Sequence, residues 1–132
     1  MPGSTRTAAD AAEACGCDVA QIAKSLIFRD ALSGKAVLAI VAGDRRVHEK
    51  RLGRQIDAKL ERADPDFVRE VTGFAIGGVP PFGHAQSSIV IMDESLRRFA
   101  CIWAAAGTPR CVFETTPAEL ENLSGATVLD PS

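Results

Sequence analysis

Three groups of residues in this 132-residue chain have types and spacing suited to chemistry. The first is Gly77-Gly78-Val79-Pro80-Pro81-Phe82-Gly83-His84. Glycine lets backbone amides approach a ligand closely, and adjacent prolines fix φ and remove donors, so the remaining N–H groups can face a substrate. His84 at its end can donate to or orient a ligand, although Gly and Pro equally punctuate plain connecting turns. The second is Lys24, flanked by Ile22, Ala23, Leu26 and Ile27. An ammonium in that setting either snorkels from a core edge or is presented into a cleft. The third is a basic run in which Arg45, Arg46, Lys50, Arg51, Arg54, Lys59 and Arg62 stand against Glu49, Asp57 and Glu61. It is either a phosphate-facing patch or a solvated helix face.

Other chemistries lack their signatures. There is no GxSxG elbow, P-loop, GxGxxG or HExxH, so catalysis would use a sparser constellation. Cys15, Cys17, Cys101 and Cys111 lack the two-residue spacing of a zinc knuckle or thioredoxin-type pair and read as structural thiols, with no metal site expected. His48 sits among Arg and Lys and reads as a solvated helix residue. A net charge of −2 argues against a surface uniformly coated for nucleic acid, which leaves charge distribution as the informative quantity. The length fits one domain spanning residues 1–132. The apolar runs Ala36 to Ala42 and Ile89 to Met92 are too short for a membrane span, and the start lacks a signal-peptide core. A cytoplasmic protein is expected.

These residues need elements to hold them. Thr7 and Asp10 open an alanine-rich helix that should stop at Gly16, and Asp18 with Gln21 repeats the capping pattern. Ser25 to Phe28 reads as a buried strand, which puts Lys24 at a helix-to-strand junction. Ala36 to Val41 is a second strand, paired with the first as an antiparallel hairpin across Asp30 to Lys35. Val47, Leu52, Ile56 and Leu60 recur at helical intervals with Gly53 as a break, and Asp64-Pro65 caps a helix running to Gly73. Strands are expected at Ser88 to Met92, Phe99 to Ala104 and Cys111 to Thr115, then a helix from Thr116-Pro117-Ala118-Glu119. The pattern predicts an α+β domain with a mixed, mainly antiparallel sheet rather than a doubly wound one. No repeat or linker is visible.

In order and spacing, Gln21-Ile22-Ala23-Lys24-Ser25-Leu26-Ile27-Phe28, Ala42 to Arg46, Gly77 to His84, Ala106-Gly107-Thr108-Pro109 and Thr116 to Leu120 resemble the YbaK/ProX family of aminoacyl-tRNA editing domains. That family includes trans-editing factors and the domain inserted in bacterial prolyl-tRNA synthetases. The resemblance covers about Thr5 to Asp130. It implies a barrel-like central sheet surrounded by helices and hydrolysis of the ester joining a wrong amino acid to the tRNA 3′ end. By the resemblance, Lys24 matches the lysine most associated with activity. Ala106, Gly107 and Thr108 match the loop that shapes the aminoacyl pocket. The sequence departs from the pattern in two places. Ala104-Ala105-Ala106 stands where some members carry a serine before the loop glycine, and the chain begins almost at the helix that relatives precede with further residues.

An aminoacyl ester is already activated, so its hydrolysis asks for positioning, a placed water or substrate hydroxyl, and donors for the oxyanion, without a cofactor. Lys24 and amides near Gly78, Gly83 or Gly107 are the candidate donors, and Pro80, Pro81 and Phe82 wall the pocket. Arg45, Arg46, Lys50, Arg51 and Arg54 are the candidate tRNA contacts. The expected partners are the acceptor end of an aminoacyl-tRNA, foremost tRNA-Pro carrying a small non-cognate residue, and a prolyl-tRNA synthetase. A noncatalytic tRNA- or synthetase-binding module and a hydrolase of small aminoacyl esters are the competing readings.

Overall fold

Seven consecutive buried residues, Ala36–Ala42, form a strand with no polar face, which therefore needs packing on both sides and a strand on either edge. The computed structural model describes residues 8–73, 89–105 and 112–131 and supplies all of these. Within them run helices α1 (Ala8–Cys15), α2 (Glu49–Ile56), α3 (Pro65–Thr72) and α4 (Pro117–Ser124). The strands are β1 (Ile22–Asp30), β2 (Ala36–Ala42), β3 (Leu60–Arg62), β4 (Ile89–Asp93), β5 (Ile102–Ala105), β6 (Val112–Thr115) and β7 (Thr127–Leu129).

The strands make one mixed sheet in the order β6-β5-β1-β2-β4-β7, with β3 added to β1. The hairpin β1–β2 is the long antiparallel ladder, running from Ala23 opposite Ala42 to Arg29 opposite Ala36. Pairs β1–β3 and β5–β6 are also antiparallel, whereas β1–β5, β2–β4 and β4–β7 are parallel. Strand alternation separates two cores. Ala23, Leu38, Ile40 and Ala42 pack with Met92, Leu96, Ile102 and Leu120 on one face. Phe28, Val37, Ala39 and Val41 pack with Leu52 of α2 and Ile91 on the other, with Leu26, Val47 and Ile56 at its margin.

The predicted caps at Asp64 and Thr116 hold, while Thr7 lies outside the described residues. Asp64 Oδ1 accepts from Phe67 N–H at 2.8 Å and Thr116 Oγ1 from Glu119 N–H at 3.1 Å, each followed by a helix-starting proline. The hairpin turn is tied by Asp30, whose carboxylate accepts from Ser33 Oγ at 2.7 Å, Leu32 N–H at 3.0 Å and Lys59 N–H at 3.1 Å. These donors, Ser33 foremost, hold its pKa below the usual carboxylate value.

Several expectations need correction. Asp18 and Gln21 do cap, with Gln21 Oε1 accepting from Asp18 N–H at 3.1 Å, but only one 3₁₀ turn follows (Val19–Gln21). Gln21 Nε2 also donates to Cys101 O at 3.3 Å, and the chain enters β1 at Ile22. Lys24 is thus inside the strand and not at its junction. Phe99 caps a 3₁₀ helix (Glu94–Arg98) that the sequence reading missed, so β5 starts later than expected. Leu60 belongs to β3 and not to a helix.

Gly53 does not break α2 but lies buried within it. A Cβ there would stand 2.5 Å from Ala58 O, because the chain leaving α2 doubles back to donate Ala58 N–H to Gly53 O at 2.8 Å. Alanine normally stabilises a helix over glycine by about 1 kcal/mol. Here contact with backbone outweighs that gain, and Gly53→Ala is expected to destabilise by about 1–3 kcal/mol in urea unfolding. An unchanged or raised midpoint would refute the close approach.

Candidate functional site

On β1, Lys24, Leu26 and Phe28 alternate onto the face covered by α2, while Ala23 and Ile27 join the opposite core. Lys24 is half-buried opposite Val41. It lines a cavity of about 550 Å³ together with Ser25, Leu26, Ile27, Phe28, Arg46 and Arg62, and Val47 and Val68 add apolar wall. A cavity of that size suits a small organic ligand or the end of a larger one. Of the two sequence readings for Lys24, presentation into a cleft is the one realised.

The site is electropositive. Burial lowers the Lys24 pKa, Arg46 lowers it further, and Asp44 and Asp93 oppose the shift. Asp93 is fully buried. Its Oδ2 accepts from Ala42 N–H at 3.2 Å and its Oδ1 from Ser95 N–H at 2.9 Å, joining the end of β2 to the 3₁₀ helix. Sequence reasoning missed Asp93, although an acid after an apolar run and two residues before Ser95 is an Asx-turn signal. Arg62, counted in the basic run but not among the candidate tRNA contacts, is brought to the cavity by the β1–β3 pairing. Ser25 Oγ is buried with no hydrogen-bond partner among the described residues.

The basic run is divided among three places. Arg46 lines the Lys24 cavity. Arg45 bonds Asp130 Oδ1 at 2.8 Å and lies 3.8 Å from Asp93, and Arg51 lies 4.0 Å from Asp130. Lys50 and Arg54 join Lys59, Leu32, Glu49 and Asp57 around a second groove of about 630 Å³. His48 is exposed, as expected, but it caps α2 rather than lying within it, its Nδ1 accepting from Arg51 N–H at 3.2 Å. The predicted pocket residues Gly77, Gly78, Val79, Pro80, Pro81, Phe82, Gly83 and His84 lie outside the described residues, as do Ala106, Gly107 and Thr108.

Comparison with known proteins places the chain in a family. The aminoacyl-tRNA editing domain model matches residues 3–123, and the chain belongs to that family. Among its relatives is the uncharacterized protein YwhH of Bacillus subtilis (strain 168), 38% identical over 121 residues, or 92% of this chain and 76% of that protein. The proline–tRNA ligase of Lactobacillus helveticus (strain DPC 4571) is 30% identical over 95 residues, which is 71% of this chain but only 16% of the ligase. A crystal structure of a candidate trans-editing enzyme for prolyl tRNA synthetase superposes with a TM-score of 0.89 at 48% identity, covering 96% of this chain and 79% of that one. No helix among the described residues is long and apolar enough to cross a membrane.

The electrostatics carry a directional prediction. Replacing Arg46 by Gln removes a repulsive charge, so the Lys24 pKa should rise toward the ordinary lysine value. Side-chain NMR titration reads this directly, and an unmoved or lowered pKa would refute the coupling. In the wild type, between the lowered folded pKa and the ordinary value, the unfolded chain holds a proton the folded chain has released. This group therefore favours folding increasingly as pH rises through that window.

Proposed function

We propose that this protein is a deacylase that hydrolyses the ester of mischarged tRNA in trans, acting on tRNA-Pro that carries a small non-cognate amino acid. The observation that carries the reading is Lys24, a half-buried ammonium lining a cavity with Arg46 and Arg62, in a chain of the editing-domain family. Similarity to a segment of proline–tRNA ligases and to a candidate trans-editing structure supports the choice of tRNA.

In this reading Lys24 stabilises the charge that develops on the ester oxygens or holds the ribose, and a water placed by the site or by a substrate hydroxyl attacks the carbonyl carbon, its proton passing to the departing ribose oxygen. The tetrahedral oxyanion collapses, the bond to the ribose oxygen breaks, and free amino acid leaves with intact tRNA. A preorganised donor in a partly dehydrated site contributes about 10²–10³ in rate. The backbone amides of Gly78, Gly83 and Gly107 are proposed as further donors. Exclusion of bulk sets selectivity, since a pocket rewards a single methylene by only about 1–3 kcal/mol. A prolyl-tRNA synthetase is the proposed partner that presents the substrate. The acceptor stem lies along Lys50 and Arg54, whose groove borders α2 next to the Lys24 cavity.

Deacylation of a panel of mischarged tRNAs tests the activity. Lys24→Ala should lower the single-turnover rate about 100-fold or more on tRNA-Pro carrying alanine, serine, threonine, cysteine or 2-aminobutyrate. Absence of turnover on every substrate by the wild type refutes the deacylase. The same assay across salt concentrations tests the tRNA path. Lys50→Glu with Arg54→Glu should weaken binding and flatten the salt dependence by about 1.4–1.8 in logarithmic slope, the value for two phosphate contacts. An unchanged slope removes that groove from the interface.

A further inference from the structure

Among the described residues, the outer edge of β1 is paired at both ends and open in the middle. Main-chain groups of alternate strand residues point to opposite edges. The even-numbered residues of β1 turn toward β2, as Gly43 N–H donating to Ile22 O and Asp30 N–H donating to Lys35 O show, each at 2.8 Å. The odd-numbered residues turn to the other edge, where β5 pairs only with Ile22 and Ala23 and β3 only with Phe28, Arg29 and Asp30. No described strand pairs with 24–27 there.

The open stretch faces the Lys24 cavity. Consecutive residues Lys24 to Phe28 all line it, although their side chains alternate between two cores, so the cavity reaches the main chain of β1 as well as the face that carries Lys24, Leu26 and Phe28. By the same alternation the strand turns a Ser25 carbonyl acceptor and an Ile27 N–H donor side by side to its outer edge. Adenine presents the complement on its Watson–Crick edge, an N6 amino donor beside the N1 acceptor. The α-amino group and carbonyl of an aminoacyl moiety offer the same pair. However, the lining holds three cations, Lys24, Arg46 and Arg62, against one carboxylate, Glu49, which disfavours an ammonium. A neutral base suits the apolar wall of Leu26, Phe28, Val47 and Val68, and its phosphate suits the arginines.

We infer that the Ser25 carbonyl and the Ile27 N–H read the adenine of an adenosine nucleotide, which on the deacylase reading above is the 3′-terminal adenosine of the tRNA. Base identity is then checked by main chain, one residue away from the lysine that serves the ester.

The test uses base analogues. Adenosine 5′-monophosphate titrated into 15N-labelled protein should shift the Ile27 amide. 7-Deazaadenosine monophosphate, which keeps the Watson–Crick edge, should bind alike, and inosine monophosphate, which reverses it, should bind about tenfold more weakly or worse. Aminoacyl minihelices ending in inosine should lose a similar factor in kcat/KM against those ending in adenosine. Equal affinity for the adenosine and inosine nucleotides, or an unmoved Ile27 amide, overturns the inference. Discrimination among free nucleotides with none among minihelices overturns the assignment to the tRNA end. The titration needs no turnover, so it decides base reading even if deacylation fails, and equal rates on both minihelices sink the reading of the tRNA's terminal base while leaving the deacylase intact.

Discussion

Burial of β2 on both faces is the constraint from which the rest of the arrangement follows. Ala36–Ala42 has no polar side chain to give to water, so each face needs a core and each edge a strand. The hairpin supplies β1 on one edge and a parallel crossover supplies β4 on the other. With α2 on one face and α4 with the 3₁₀ helix on the other, β2 is enclosed. The neighbouring strand β1 is the first that can carry charge, and the cationic cavity lies along it.

Asp93 extends that logic. A fully buried carboxylate is tolerated because two backbone N–H groups and the nearby Arg45 satisfy it. Pairing with Asp130 also draws Arg45 toward the C-terminal segment, while its neighbour Arg46 turns to the cavity. Two adjacent arginines thus take structural and site roles, and the second depresses the Lys24 pKa. A half-buried lysine so placed is incompletely hydrated, and on the proposed deacylase reading that suits it to charge that appears only during reaction.

Much of the frame was legible in the sequence because its signals are local. Asp64-Pro65 and Thr116-Pro117 mark helix starts through side chains three residues from the amides they cap. The hairpin follows from two apolar runs around Ser33-Gly34, where Gly34 takes φ +76°. The three-residue strands β3 and β7 escaped because so short a run carries no readable period, and their pairing is decided by distant strands. Gly53 misled for a related reason: its cause is Ala58 O across a chain reversal, invisible to helix propensity.

The candidate site divides along the same line. The sequence by itself determined the chemistry on offer, namely a lysine among apolar residues, a dense basic run, and the ordered motifs that resemble editing domains, since residue types and short spacings are properties of the chain. Only the tertiary structure decided how these combine. It brought Arg62 from β3 and Arg46 from before α2 to Lys24, sent Arg45 and Arg51 toward Asp130, and, among the described residues, left the edge of β1 open between β5 and β3. Such outcomes depend on which strands compete for the two edges of β1, and strand pairing is a contact between segments far apart in sequence.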